Sequence, residues 1–120
     1  MRLQRGRHFE AVAAEYLEEH GLVVLERGYR CRLGEIDLVC AEQHTLVIVE
    51  VRARSSGAVC SAVASIDAQK RRRIVGATRH FLMRRNEWRN ASIRFDVVAF
   101  DLIDTADTRI SWLRNAFDAS

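Results

Sequence analysis

The segment that most restricts the fold is Leu46-Val47-Ile48-Val49-Glu50-Val51-Arg52, a strand-like run that is wholly apolar except for one charged pair, Glu50 and Arg52. Shortly before it, Glu35-Ile36-Asp37 places two carboxylates on one face of another strand, because strand side chains alternate with period two. With residues 42 to 45 as the turn, the hairpin register sets Asp37 opposite Glu50 and Glu35 opposite Arg52. Whatever forms around this hairpin must accommodate two carboxylates that face each other directly.

The remaining patterns supply the layers around it. Residues Arg7 to His20 read as a helix, since Phe9, Val12, Ala13, Tyr16 and Leu17 recur at helical spacing and Gly21 provides a stop. Glu15, Glu18 and Glu19 fall on the wet side of that helix, whereas Glu10 shares a stripe with Ala13, Ala14 and Leu17. Leu22 to Tyr29, Glu35 to Ala41 and Thr45 to Ala53 read as three successive strands, an antiparallel meander. Ser55 to Ser65, with Gly57 and four serines, reads as a loop, and Asp67 to Arg85 as a second helix capped by Asp67 or Ser65, with Ile74, Ala77, Thr78, Phe81 and Leu82 as its apolar face. Ile93 to Asp101 is a fourth strand, and Ile110 to Phe117 reads as a short strand turning into a terminal helical turn. The expectation is one α/β domain over residues 1–120, ordered α-β-β-β-α-β, with a mixed central sheet flanked by helices.

Composition narrows the setting. An apolar fraction of 48% and a charged fraction of 29% exclude a disordered or collagen-like chain. No apolar run approaches the roughly 18 residues that a membrane span requires, and the basic N-terminus is not followed by an apolar segment, so a cytoplasmic protein without a membrane partner is expected. Cys31, Cys40 and Cys60 lack a Cys-x-x-Cys spacing and read as reduced core thiols. Lys70 is the only lysine, so 18 of the 19 basic residues are arginine, and Lys70-Arg71-Arg72-Arg73 forms one run. Arginine binds phosphate through a planar fork, which suits nucleic acid; codon bias and solvated faces are the other source of such an excess.

For Asp37 and Glu50, the spacing leaves two explanations open. A hard divalent cation such as Mg²⁺ or Mn²⁺ sits between them, or Arg52, or a pairing slipped by one step, neutralises them as an ion-pair ladder. His8, His20, His44 and His80 do not have zinc-motif spacing, and no Gly-rich phosphate loop or nucleophile signature is present. Trp88 and Trp112 read as packing residues.

Gly34-Glu35-Ile36-Asp37-Leu38-Val39, followed by Val49-Glu50-Val51-Arg52-Ala53-Arg54, resembles the core of the YraN-like family, and the likeness extends from Gly6 and Glu10 through Lys70-Arg71-Arg72-Arg73 to Arg94-Phe95-Asp96-Val97-Val98. That family is similar to Holliday-junction resolvases and to the restriction-endonuclease-like group, whose metal site is an aspartate followed by a Glu-x-Lys strand. The resemblance implies a restriction-endonuclease-like fold and a metal-dependent nuclease-like protein acting on DNA, with Asp37 and Glu50 as metal-binding carboxylates, Glu10 a third and Glu35 a neighbour. It also implies a nucleic-acid surface from Arg52, Arg54, Lys70, Arg71, Arg72 and Arg73, and by analogy a homodimer on symmetric junctions.

Arg52 stands where the pattern has lysine, and an arginine that stays protonated holds phosphate or developing charge but does not serve as a general base. Lys70 lies on the stripe of Ile74, Ala77 and Phe81, so it is expected to point toward the sheet, with Arg72, Arg73 and Arg79 outward, and it offers either a migrated catalytic ammonium or a first-turn lysine that snorkels to solvent. A catalytic nuclease, a nucleic-acid-binding module without catalysis, and an interaction protein with a structural acidic cluster are the three functions this leaves.

Overall fold

The computed structural model describes residues 2–54, 59–102 and 108–119. Helix α1 (Arg2–Glu19) leads into strands β1 (Val23–Cys31), β2 (Gly34–Glu42) and β3 (Thr45–Arg54). Helices α2 (Val59–Ala64) and α3 (Ala68–Arg84) then cross over, through a 3-10 turn at Asn86–Trp88, to β4 (Ser92–Leu102) and β5 (Thr108–Phe117). The five strands lie side by side in chain order; β3 and β4 run parallel, and every other neighbouring pair is antiparallel. The parallel pair follows from the helical crossover, since only a long connection returns the chain to the same end of a sheet. This mixed sheet between helices is the arrangement expected of a restriction-endonuclease-like α/β domain.

Because β3 is apolar at every position from Leu46 to Val49, both its faces need cover, and alternate residues enter two different cores. Leu46 and Ile48 join Ile66, Ile74, Ala77 and Phe81 beneath α2 and α3. Val47 and Val49 join Ala13, Ala14 and Leu17 beneath α1. Gly21 ends α1 with φ +95°, the Leu22 N–H reaching the Leu17 carbonyl and the Gly21 N–H that of Glu18, the paired bonds of a Schellman cap. Asp67 caps α3 as expected, accepting the Lys70 N–H at 2.8 Å.

Two sequence expectations need correction. The segment read as a loop contains α2, because the run after Gly57 carries no further glycine or proline and Ala62 and Ile66 find a core to enter; residues 55–58 lie outside those described. The C-terminal segment is a strand throughout, without a helical turn. Its amphipathic pattern comes from an irregularity in pairing: between Phe95–Phe117 and Val97–Leu113 one residue of β4 faces three of β5, with Asn115 at φ +54°. The thiols of Cys31 and Cys40 are reduced, Cys40 in the core and Cys31 half-buried, while the side chain of Cys60 lies outside those described.

Asp96, fully buried, holds that irregularity in place. Its carboxylate accepts two hydrogen bonds from Arg94, one from the Trp112 indole N–H and one from the Asn115 backbone N–H. Arg94 and Arg114 both extend to Glu42, so the cluster ties β2, β4 and β5 together at one end of the sheet. Trp112 also packs on Tyr16 of α1 and on His20 just after it, and Trp88 lies against the α3-side core, both in packing roles. Replacing one member of such a cluster leaves a buried charge uncompensated, so Asp96→Ala should lower the unfolding free energy by about 3–5 kcal/mol in urea titrations.

Helix α3 is pressed onto the β1–β2 turn. A Cβ at Gly34 would lie 2.2 Å from the Arg73 carbonyl oxygen, and one at Gly76 would meet the Leu33 Cβ at 3.2 Å. Backbone, not a flexible side chain, blocks position 34. Gly34→Ala should therefore cost about 1–3 kcal/mol, the usual penalty of overpacking, read as a lower urea midpoint; an unchanged midpoint would show that the turn and helix separate freely.

Candidate active site

The β2–β3 ladder keeps the expected register, from Glu42–Thr45 to Leu38–Val49, and then stops. Beyond that point β2 continues to Gly34 paired only with β1, and β3 continues to Arg54 paired only with β4. Ile36 enters the α3-side core, whereas Leu38, two residues on, enters the α1-side core, so β2 turns about its axis as it leaves β3. The next pair in register would be Asp37 and Glu50, which sit at the mouth of this gap.

Their side chains take over the bonds the backbones no longer make. The Val51 N–H donates to Asp37 Oδ2 at 2.8 Å, and the Asp37 N–H donates to Glu50 Oε2 at 3.3 Å. Glu50 is only 4% exposed. Glu10 approaches from α1 near enough for the Asp37 carboxyl to raise its proton affinity, the inward placement expected from its helical stripe. Arg52 lies two residues along β3, with Nη2 3.6 Å from Glu50 Oε1; Nη1 donates to the Val51 carbonyl, and Nη2 is buried without a hydrogen-bond acceptor among the described residues.

Above the gap is a cleft of about 360 Å³ whose walls include Glu35, Asp37, Glu50, Arg52, Asp67, Gln69, Lys70 and Arg73. Lys70 therefore points toward the carboxylates, as expected, with its ammonium at the exposed rim. Arg73 does the same, which corrects its expected outward placement: one helical turn from Lys70, it stands over the β1–β2 turn instead of beside Arg72 and Arg79. Arg71 is half-buried, its Nε donating to the Ile66 carbonyl and its guanidinium lying 5.2 Å over the Phe117 ring. Arg72 is exposed on the other side of α3, and Arg54 ends β3 opposite Asp101 without lining the cleft. Glu35 is not opposite Arg52 as expected, because the β2–β3 ladder ends before it; it is paired instead with Arg30 of β1 at the rim, 3.4 Å apart and largely solvated, where such a pair contributes little.

The buried carboxyls hold protons more tightly than usual. Burial pushes Glu50 up to about 8, the neighbouring Asp37 charge adding to it while Arg52 and Lys70 oppose it. Burial likewise raises Asp37 against the Val51 N–H and the charges of Arg52 and Lys70, and raises Glu10 to about 7 with Asp37 as its next cause.

A sequence profile of the uncharacterised protein family UPF0102 matches residues 9–100. The chain belongs to the UPF0102 family. A UPF0102 protein of Legionella pneumophila is 42% identical over 119 residues, covering 99% of this chain and 98% of its own. One from Pseudomonas fluorescens is 42% identical over 114 residues, 95% of this chain and 93% of the relative, and one from Ectopseudomonas mendocina is 43% identical over 114 residues, 95% and 94% respectively. The matched span of the UPF0102 profile runs from the residue before Glu10 to the end of the apolar part of β4, and so takes in Glu10, Asp37, Glu50, Arg52 and the basic run of α3. It agrees with the YraN-like assignment made from the hairpin motifs.

The raised carboxyls fix how stability depends on pH. The folded chain keeps its protons on Glu10 and Glu50 up to about pH 7 and 8, whereas the unfolded chain releases them near 4.5. Between those limits the folded state binds more protons, so stability falls as pH rises. In chelator-treated protein the melting temperature should decline from pH 5 to 8.5, and Glu50→Gln should flatten much of that decline. A wild-type melting temperature that climbs across this interval would contradict the burial of these groups.

Proposed function

We propose that this chain is a metal-dependent nuclease-like protein that hydrolyses nucleic-acid phosphodiesters, DNA in the first instance, with branched DNA among its substrates. The observation that carries the reading is the gap between β2 and β3, where Asp37 and Glu50, both with raised proton affinity, face a cleft rimmed by Arg52, Lys70 and Arg73, and Glu10 adjoins Asp37 from α1 without lining the cleft. Hard oxygen donors of this kind suit Mg²⁺ or Mn²⁺ and would exchange their protons for the ion. Among the described residues no three His, Cys, Asp or Glu side chains are arranged so that they could hold a metal ion together, so what supports the ion is the donor chemistry of the carboxylates and not their present geometry. Asp37 and Glu50 would hold the ion, with Glu10 completing the set. When bound, it supplies Lewis acidity and a water of lowered pKa.

The chain's own cations do the rest. The Arg52 guanidinium, whose Nη2 has no acceptor, would take a phosphate oxygen and favour the charge that develops as water adds to phosphorus. Lys70, which lines the cleft, would donate a proton to the leaving oxygen or hold the phosphate before attack. A homodimer on a symmetric junction belongs to the same reading by analogy.

One observation favours a second reading, a nucleic-acid-binding module without catalysis. Arg52 lies 3.6 Å from Glu50 and offsets its charge without a metal, in a place where a lysine would otherwise stand. Cleavage assays with Mg²⁺ and Mn²⁺ on linear, single-stranded, flapped and four-way DNA separate the two. On the nuclease reading, Asp37→Asn with Glu50→Gln abolishes both cleavage and the rise in melting temperature that the metal produces. Lys70→Ala slows turnover about 10²-fold or more, and Arg52→Ala weakens substrate binding by about 1–3 kcal/mol while Arg52→Lys cleaves at least as well as the wild type. Binding without cleavage in every variant and with every metal would leave the module.

A further inference from the structure

The basic run of α3 divides between two surfaces, and only one of them is the cleft. Lys70 and Arg73 line the cleft, and Arg71, its guanidinium held over Phe117 and its Nε donating to the Ile66 carbonyl, lies on the wall of the groove on the other side. Arg72 lines a separate groove of about 710 Å³ on the far side of α3, together with Arg79, which lies two helical turns on along the same face. Its floor is apolar, with Ile66, Val75 and Gly76. Arg72 and Arg79 are both exposed, and among the described residues neither has a hydrogen bond or an ion pair. Among the described residues lining the groove, Asp67 is the one carboxylate, and it accepts the Lys70 N–H as the helix cap.

Arg72 and Arg79, without a partner among the described residues, and Arg71 beside them outnumber Asp67 around an apolar floor, and together they are complementary to a polyanion that also presents flat apolar surface. Asp67 lines both the cleft and the groove, so the two depressions meet at the first turn of α3. The geometry points to a second nucleic-acid track: Arg72 and Arg79 hold a flanking stretch of the same polynucleotide whose phosphodiester enters the cleft. This rests on the nuclease or binding-module reading and adds that the substrate is a polymer reaching several nucleotides past the cleft, not a nucleotide or a short end. Arg79, outside the basic run, belongs to the track.

The test measures binding, so it does not depend on cleavage. Affinities of the chelator-treated protein for a 6-mer and a 30-mer oligonucleotide are compared by fluorescence anisotropy across a salt series, for the wild type, Arg72→Ala/Arg79→Ala and Lys70→Ala/Arg73→Ala. Removing one phosphate-binding cation lowers the slope of log affinity against log salt by roughly 0.7 to 0.9. The Arg72/Arg79 variant should bind the 30-mer more weakly with a slope reduced by about one to two, bind the 6-mer as the wild type does, and melt at the wild-type temperature. The Lys70/Arg73 variant should weaken both lengths alike.

Wild-type affinity and slope for the 30-mer in the Arg72/Arg79 variant would overturn the track while leaving the cleft reading intact. Equal losses for both lengths would also overturn it, because the two surfaces would then be one. A wild type that binds no oligonucleotide at low salt but binds anionic vesicles through Arg72 and Arg79 would overturn both readings together.

Discussion

The structure turns on the parting of two strands. β2 and β3 pair for five residues each and then separate, and the separation survives because carboxylate side chains replace the missing backbone bonds. Asp37 receives the Val51 N–H, and Glu50 receives the Asp37 N–H. Without those acceptors two buried backbone donors would be unsatisfied, at a cost comparable to a lost hydrogen bond each. The same opening lets α1 on one face and α3 on the other bring side chains to a single point, which an unbroken sheet would prevent. Glu10 and Lys70, on opposite layers, become neighbours of the same carboxylates for this reason.

How α3 comes to stand over that point depends on a second constraint, the close approach of its backbone to the β1–β2 turn. Gly34 lies against the Arg73 carbonyl and Gly76 against Leu33, so the helix cannot roll or slide far without a clash. Two glycines thereby fix which of the four consecutive basic residues face the cleft. Side chains of long, flexible cations are poor at holding a position, but the backbone that carries them here is rigid.

Much of this was legible in the chain. The hairpin register followed from a turn at residues 42–45 and the two-residue period, and it put Asp37 opposite Glu50; the inward stripe of Glu10 followed from helical spacing in the same way. The rest depends on packing between distant segments. Arg73 and Arg71 have the same composition and nearly the same local sequence, yet one lines the cleft and the other lies over Phe117, because the β1–β2 turn and β5 decide which directions are open. The rotation of β2 between Leu38 and Ile36 breaks the period on which strand reading relies. The β5 irregularity is invisible locally because the residue that stabilises it, Asp96, lies on another strand.

Asp96 also provides an internal standard for what this chain does with a carboxylate that is purely structural. That residue is fully buried and accepts four hydrogen bonds, two from a bidentate arginine, one from an indole and one from the backbone. Its charge is compensated inside the fold. Glu50 is buried nearly as deeply, but its cationic partner is a single arginine nitrogen at 3.6 Å, and its other contact is a long bond from a backbone N–H. Asp37 and Glu50 line a cleft instead of lying beneath a packed layer, with Glu10 next to Asp37, and all three have raised proton affinity. A cluster maintained for stability alone would be expected to resemble the Asp96 arrangement, since leaving like charges under-compensated costs stability at every pH above their titration. That the fold tolerates the poorer arrangement at one place, and meets the stricter standard at the other end of the same sheet, supports reading the first as a site whose missing positive charge arrives with its ligand.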